Sequence, residues 1–126
     1  IQIRLVGSEM CIRDRIFTGD DKTSLSDIAD GFTGNISVTA NVAPLEMHQM
    51  CQSALEGDIE NASKLNSNLD ILHDLLFCES NPIPVKWCLN KMGLIKKGIR
   101  LPLTWMDEKF DRPLTEGLIK SGIVDE

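Results

Sequence analysis

The sequence predicts an α/β chain in which helices far outweigh strands. Three observations carry that reading. "NISVTANVAP" (35–44) runs from an alternating apolar stretch through a polar turn into a proline and then a helical pattern. "IFTGDD" (16–21) is a short β-type run stopped by glycine and aspartates. From Met47 to Leu76 apolar residues recur at three- and four-residue steps, the period of a helix with one buried face. Strand, turn, proline, helix is the unit from which α/β proteins are built.

Taken in order, Ile16-Phe17-Thr18 reads as a strand, and Gly19-Asp20-Asp21 as its turn. A short helix follows from about Thr23 to Ala29. Thr23 or Ser24 is its cap, and Asp27 lies in the first turn. "DGFTG" (30–34) breaks it. Ile36, Val38 and Ala40 alternate with Ser37, Thr39 and Asn41, which predicts a second strand over Ile36–Thr39. Pro44 suits the first position of a helix, where its missing N–H costs nothing. Gly57-Asp58 interrupts that helix, and Asp58 is a good cap for the next, an amphipathic helix of about twenty residues. "NPIPVKWCLNKMG" (81–93) has proline at its start and glycine at its end, the asymmetry of a complete helix. Asp107 caps a last helix running to about Ser121, and Pro113 inside it predicts a bend. Two strands joined by a helix are expected to be parallel, and parallel strands need cover on both faces. Two of them make no stable sheet alone, so the sequence reads as the end of something larger.

The 126 residues suffice for one domain with a core. The formal net charge of −6 argues against nucleic acid as a partner, since phosphate binding needs clustered cations. The adjacent Lys96-Lys97 reads as the solvated end of a helix. No apolar run reaches the roughly 20 residues of a membrane span, and the first residues lack the apolar centre of a signal peptide. A cytoplasmic protein is therefore expected. Cys11, Cys51, Cys78 and Cys88 form no C-x-x-C pair, so zinc and dithiol readings have no spacing to rest on. Cys51 falls on the apolar stripe, where a thiol packs as a small hydrophobe. His48 and His73 read as helix-surface residues rather than metal ligands.

"FTGDD" (17–21), "ISVTANVAP" (36–44) and "NPIPVKW" (81–87), in this order and spacing, resemble the C-terminal part of the dihydrodipicolinate synthase family. "MGLIKKGIRLPLT" (92–104) supports the resemblance, which covers about Ile16 to Val124. It implies a (β/α)8 TIM barrel with a helical C-terminal extension, of which this chain is a truncated, mainly α piece. Residues 16–77 would be the last two β/α units and 78–126 the extension. Residues 1–15 match nothing in the resemblance and read as a non-native segment.

The family is a lyase of lysine (diaminopimelate) biosynthesis. It condenses pyruvate with L-aspartate 4-semialdehyde through a Schiff base on a lysine at the end of the sixth strand. A tyrosine and a threonine relay protons, an arginine holds the second substrate, and no cofactor is implied. The match begins after the sixth strand and the chain has no tyrosine, so no catalytic residue is expected here and the piece alone should be inactive. The resemblance carries over a main-chain pyruvate contact at Ile36 and, more weakly, a pocket-lining role for Gly19, whose lack of a side chain permits close approach. Ile36 also reads as an ordinary barrel-core residue. Asp20 reads as a turn residue before a pocket residue, and Lys86 as a helix-surface cation before a nucleophile. Two departures stand out: Phe32 replaces a small residue, and Asn35 replaces valine, so the second strand is expected to start late. The intact family is commonly a homotetramer. Two other readings are a related class I aldolase (N-acetylneuraminate lyase or keto-deoxy sugar aldolase type) and a non-catalytic helical interaction domain.

Overall fold

The computed structural model describes residues 15–125, so most of the segment 1–15 lies outside the described residues. Strand β1 is Phe17–Thr18, followed by helix α1 (Ser24–Ala29) and strand β2 (Gly34–Asn35). A 3-10 turn at Thr39–Asn41 leads into α2 (Pro44–Leu55) and α3 (Ile59–Leu75). Then come α4 (Ile83–Lys91), a 3-10 turn at Glu108–Phe110, and α5 (Asp111–Lys120). The two strands pair in parallel, Phe17 opposite Gly34 and Thr18 opposite Asn35, as a helical crossover requires.

The helix signals work as chemistry predicts. Pro44 opens α2. Gly57, at φ 85°, ends the connection from α2 in a conformation that side chains rarely adopt. The Asp58 carboxylate then accepts from Asn61 N at 3.1 Å, capping α3. Helices α2 and α3 pack against each other, and α5 lies on α3. The main core joins Met47, Met50, Leu69, Leu72, Leu76, Trp87, Leu114 and Leu118. Gly117 lets α5 approach closely, since a Cβ there would stand 2.5 Å from Leu75 Cδ1.

Four expectations are corrected. The second strand is Gly34–Asn35, not Ile36–Thr39. It starts early because Gly34 leaves room for the Phe17 ring, which a Cβ would meet at 3.2 Å. It stops early because the amides of Val38 and Thr39 turn toward the buried Asp21 carboxylate. Pro113 does not lie in a helix interior: α5 begins anew at Asp111 after the 3-10 turn, so the proline falls in a first turn, whose N–H groups have no helical partner. Lys96 and Lys97 lie beyond the end of α4, in irregular chain, and Lys97 Nζ sits 5.5 Å from the centre of the Trp105 ring. His73 is a core residue, 2% exposed, while His48 is exposed.

Among the described residues no helix is long and apolar enough to cross a membrane. Among them, too, no group of three or more His, Cys, Asp or Glu is placed to hold a metal ion. Cys51, Cys78 and Cys88 are free thiols. Burial pushes Cys88 up to about 12, so this thiol is packing rather than a nucleophile.

Candidate functional site

The C-terminal ends of β1 and β2 lie side by side. Gly19 and Ile36 are the residues that directly follow the pair Thr18–Asn35. The Ile36 N–H donates to the Thr18 carbonyl at 2.9 Å, so the ladder continues one bond past the strand. The two residues singled out from the sequence thus stand at the adjacent ends of the two strands. Gly19 has open space where a side chain would stand.

Ile36 differs from its expected core role. Its side chain is 75% exposed, because the sheet has two strands and no further layer covers it among the described residues. Ile36→Ala should therefore change the stability of this chain by no more than about 0.5 kcal/mol, as at other surface positions; a denaturant melt checks this.

Five acidic and hydroxyl groups fix these strand ends. Thr18 Oγ1 donates to Asp27 Oδ2 at 2.7 Å, and Thr23 Oγ1 donates to the same oxygen at 2.8 Å. Thr23 thus serves the Asp27 side chain rather than capping α1 with its own. Asp20 Oδ1 accepts from Lys22 N at 2.9 Å, which is the turn role. Asp21 reaches further. It is 4% exposed and accepts from Asn35 Nδ2 at 2.8 Å, Val38 N at 3.0 Å and Thr39 N at 2.9 Å. These bonds turn residues 38–41 away from the strand and into the 3-10 turn.

Behind Thr39 stands His73. Thr39 Oγ1 lies 2.8 Å from His73 Nδ1, and His73 Nε2 lies 3.3 Å from Asn66 Oδ1. Because the Asn66 oxygen only accepts, the neutral ring carries its proton on Nε2 and accepts the Thr39 hydroxyl at Nδ1. Burial holds the His73 pKa below its ordinary value, against the opposing pull of Asp21, Asp70, Asp74 and Asp20. The folded chain then binds fewer protons than the unfolded chain as pH falls through the ordinary histidine value of 6.5. Stability from this residue is full above that value and is lost below it. Melts from pH 7.5 to 5.0 should show a loss that His73→Gln reduces.

A depression of about 1040 Å³ is walled partly by Phe17, Phe32 and Phe77, with Gly19 and Asp20 at one side. Ile36 is not part of its wall, so this hollow lies beside the strand ends rather than between them. Lys22, at its rim, pairs with Asp74, and that carboxylate raises the lysine pKa. Lys86 is partly exposed on α4.

Sequence reasoning missed Asp21, Asn35 and His73 as parts of one network. Asp21 was legible only as a turn residue, because its partners lie 14 to 18 positions away. The apolar neighbours of His73 on α3 were the one local sign of its burial.

A family model described as the dihydrodipicolinate synthetase family matches residues 6–120, beginning ahead of the described residues. The 4-hydroxy-tetrahydrodipicolinate synthase of Thioalkalivibrio sulfidiphilus is 54% identical over 108 residues, covering 86% of this chain and 37% of that protein. The enzyme of that name from Pseudomonas aeruginosa is 49% identical over 109 residues. Among solved structures, the chloride-inhibited dihydrodipicolinate synthase of Acinetobacter baumannii, in complex with pyruvate, is similar with a TM-score of 0.85 and 49% identity. That match covers 87% of this chain and 38% of the other. A dihydrodipicolinate synthase described as the first monomeric variant matches with a TM-score of 0.84 and 37% identity, over 87% of this chain and 37% of its own. The chain thus spans a little over a third of the length of these relatives.

Proposed function

The chain belongs to the dihydrodipicolinate synthetase family, and on that premise we propose that it is the C-terminal part of a 4-hydroxy-tetrahydrodipicolinate synthase. The whole enzyme would be a lyase that condenses pyruvate with L-aspartate 4-semialdehyde through a lysine Schiff base. The fold is the corresponding piece of a (β/α)8 barrel. Residues 16–77 are assigned to the last two β/α units and 78–126 to the helical extension. In such barrels the chemistry sits at the C-terminal ends of the strands.

One observation supports the assignment: Gly19 and Ile36 directly follow the paired residues Thr18 and Asn35, with the Ile36 N–H bonded to the Thr18 carbonyl, on a chain similar to a pyruvate-bound relative. In the proposed site Ile36 meets pyruvate through its main chain, and Gly19 supplies room for the approach. The nucleophile is assigned to the part of the barrel before β1. A Schiff-base lysine must give up its proton near neutral pH. Lys22, the lysine beside the strand ends, is pushed the other way by Asp74.

Two experiments test this. A chimera joining residues 15–126 to the preceding part of the Thioalkalivibrio sulfidiphilus enzyme should condense the two substrates. An inactive but folded chimera would defeat the assignment. The chain alone, treated with pyruvate and borohydride, should show no pyruvyl-lysine adduct by mass spectrometry; an adduct would place a nucleophile here and refute the division of labour. The family's common homotetramer is the proposed assembly of the whole enzyme, and sedimentation of the chimera would distinguish it from a monomer. The cytoplasm is the proposed compartment, in keeping with the free thiols.

A further inference from the structure

Within this chain Ile36 is 75% exposed, and its main chain is held by hydrogen bonds. Three groups around it converge on one carboxylate. Asn35 Nδ2 reaches Asp21 from the residue before. Val38 N and Thr39 N reach it from two and three residues after. The Ile36 N–H is meanwhile bonded to the Thr18 carbonyl. Residues 36 and 37 are thus a short span clamped at both ends by Asp21, and the clamp is buried.

We infer that Asp21 is a positioning residue for pyruvate: it sets the main chain at Ile36 without touching the substrate. This rests on the pyruvate-site reading above. Loss of the clamp frees two peptide units whose displacement by a fraction of an ångström weakens a contact made by backbone alone. Misplacement of this order is expensive for positioned groups. The second substrate, held elsewhere in the barrel, should be little affected. Asp21→Asn supplies an internal control. Its amide oxygen still accepts from Val38 and Thr39. Its NH2 takes the place of the oxygen that now faces Asn35 Nδ2, and a turn of the Asn35 amide brings the unpartnered Asn35 Oδ1 round to accept from it.

The test uses the chimera defined above, with kcat and KM measured for each substrate. Asp21→Ala should raise KM for pyruvate about tenfold, leave KM for the aldehyde within about twofold, and be largely restored in Asp21→Asn. Should Asp21→Ala fail to fold, Asn35→Ala removes one arm of the clamp and should raise KM for pyruvate about threefold. An active wild-type chimera whose Asp21→Ala or Asn35→Ala variant keeps its KM for pyruvate would overturn the inference alone. So would equal rises for both substrates without rescue by asparagine. An inactive wild-type chimera would overturn the functional reading, and this inference with it.

Discussion

Asp21→Ala should lower the stability of the chain by about 3 kcal/mol, and it should do so without removing any apolar packing. The carboxylate is 4% exposed and takes three N–H bonds of 2.8 to 3.0 Å. Two come from backbone amides at the start of a 3-10 turn, which have no helical partner of their own. A buried donor left without an acceptor costs about 1–3 kcal/mol, and bonds to a charged group are at the upper end. The simple sum would exceed the expected loss. Desolvating the carboxylate already offsets part of its gain in the native state, and a water entering the space left by alanine would satisfy one amide. Urea unfolding followed by Trp87 and Trp105 fluorescence measures the difference. A loss below about 1 kcal/mol would mean that residues 35–39 find other partners at little cost. The amides of Val38 and Thr39 are the local readout: their hydrogen exchange should speed up while that of α3 keeps pace with global unfolding.

The same residue shows where the sequence was legible and where it was not. Local signals read correctly because their partners are near in the chain. Pro44, Asp58 and Gly93 mark helix ends through bonds or φ values set within about four residues, and the helix period over 47–76 announces its buried face. The site depends on longer links. The alternation in "ISVTA" has the period of a strand, yet Asp21 captures the amides of Val38 and Thr39 and curls the chain there. Asn35, a poor strand former, sits in β2 because its side chain is bound by Asp21. Pro113 looked like an interruption only while the preceding 3-10 turn was read as helix. The placing of Gly19 and Ile36 at adjacent strand ends followed from a resemblance rather than from any local rule. The register that puts Thr18 opposite Asn35 is a property of the sheet.

Leu72→Ala should be the most damaging large-to-small change in the helical part, with a loss of about 2–5 kcal/mol. Leu72 is fully buried on α3 and belongs to the cluster that joins α2, α3, α4 and α5. Its Cδ2 stands 3.9 Å from where a Cβ on Gly117 would be, so it lies under the close approach of α5 to α3. That approach decides the magnitude. A cavity relaxes cheaply when a neighbour can slide into it, and costs more when the walls are fixed. Leu69 on the same helix, Leu76 just past its end, and Leu114 and Leu118 on α5 share the Leu72 cluster and are all fully buried, so collapse would have to drag α5 inward as a unit. The upper half of the range is therefore expected. Leu101→Ala is the matched control: the residue is 81% exposed, and its loss should stay within about 0.5 kcal/mol. Parallel denaturant melts of the two variants decide the matter. Equal effects would mean that α5 does not seal the core over α3, and that the fold is held chiefly by the α2–α3 pair.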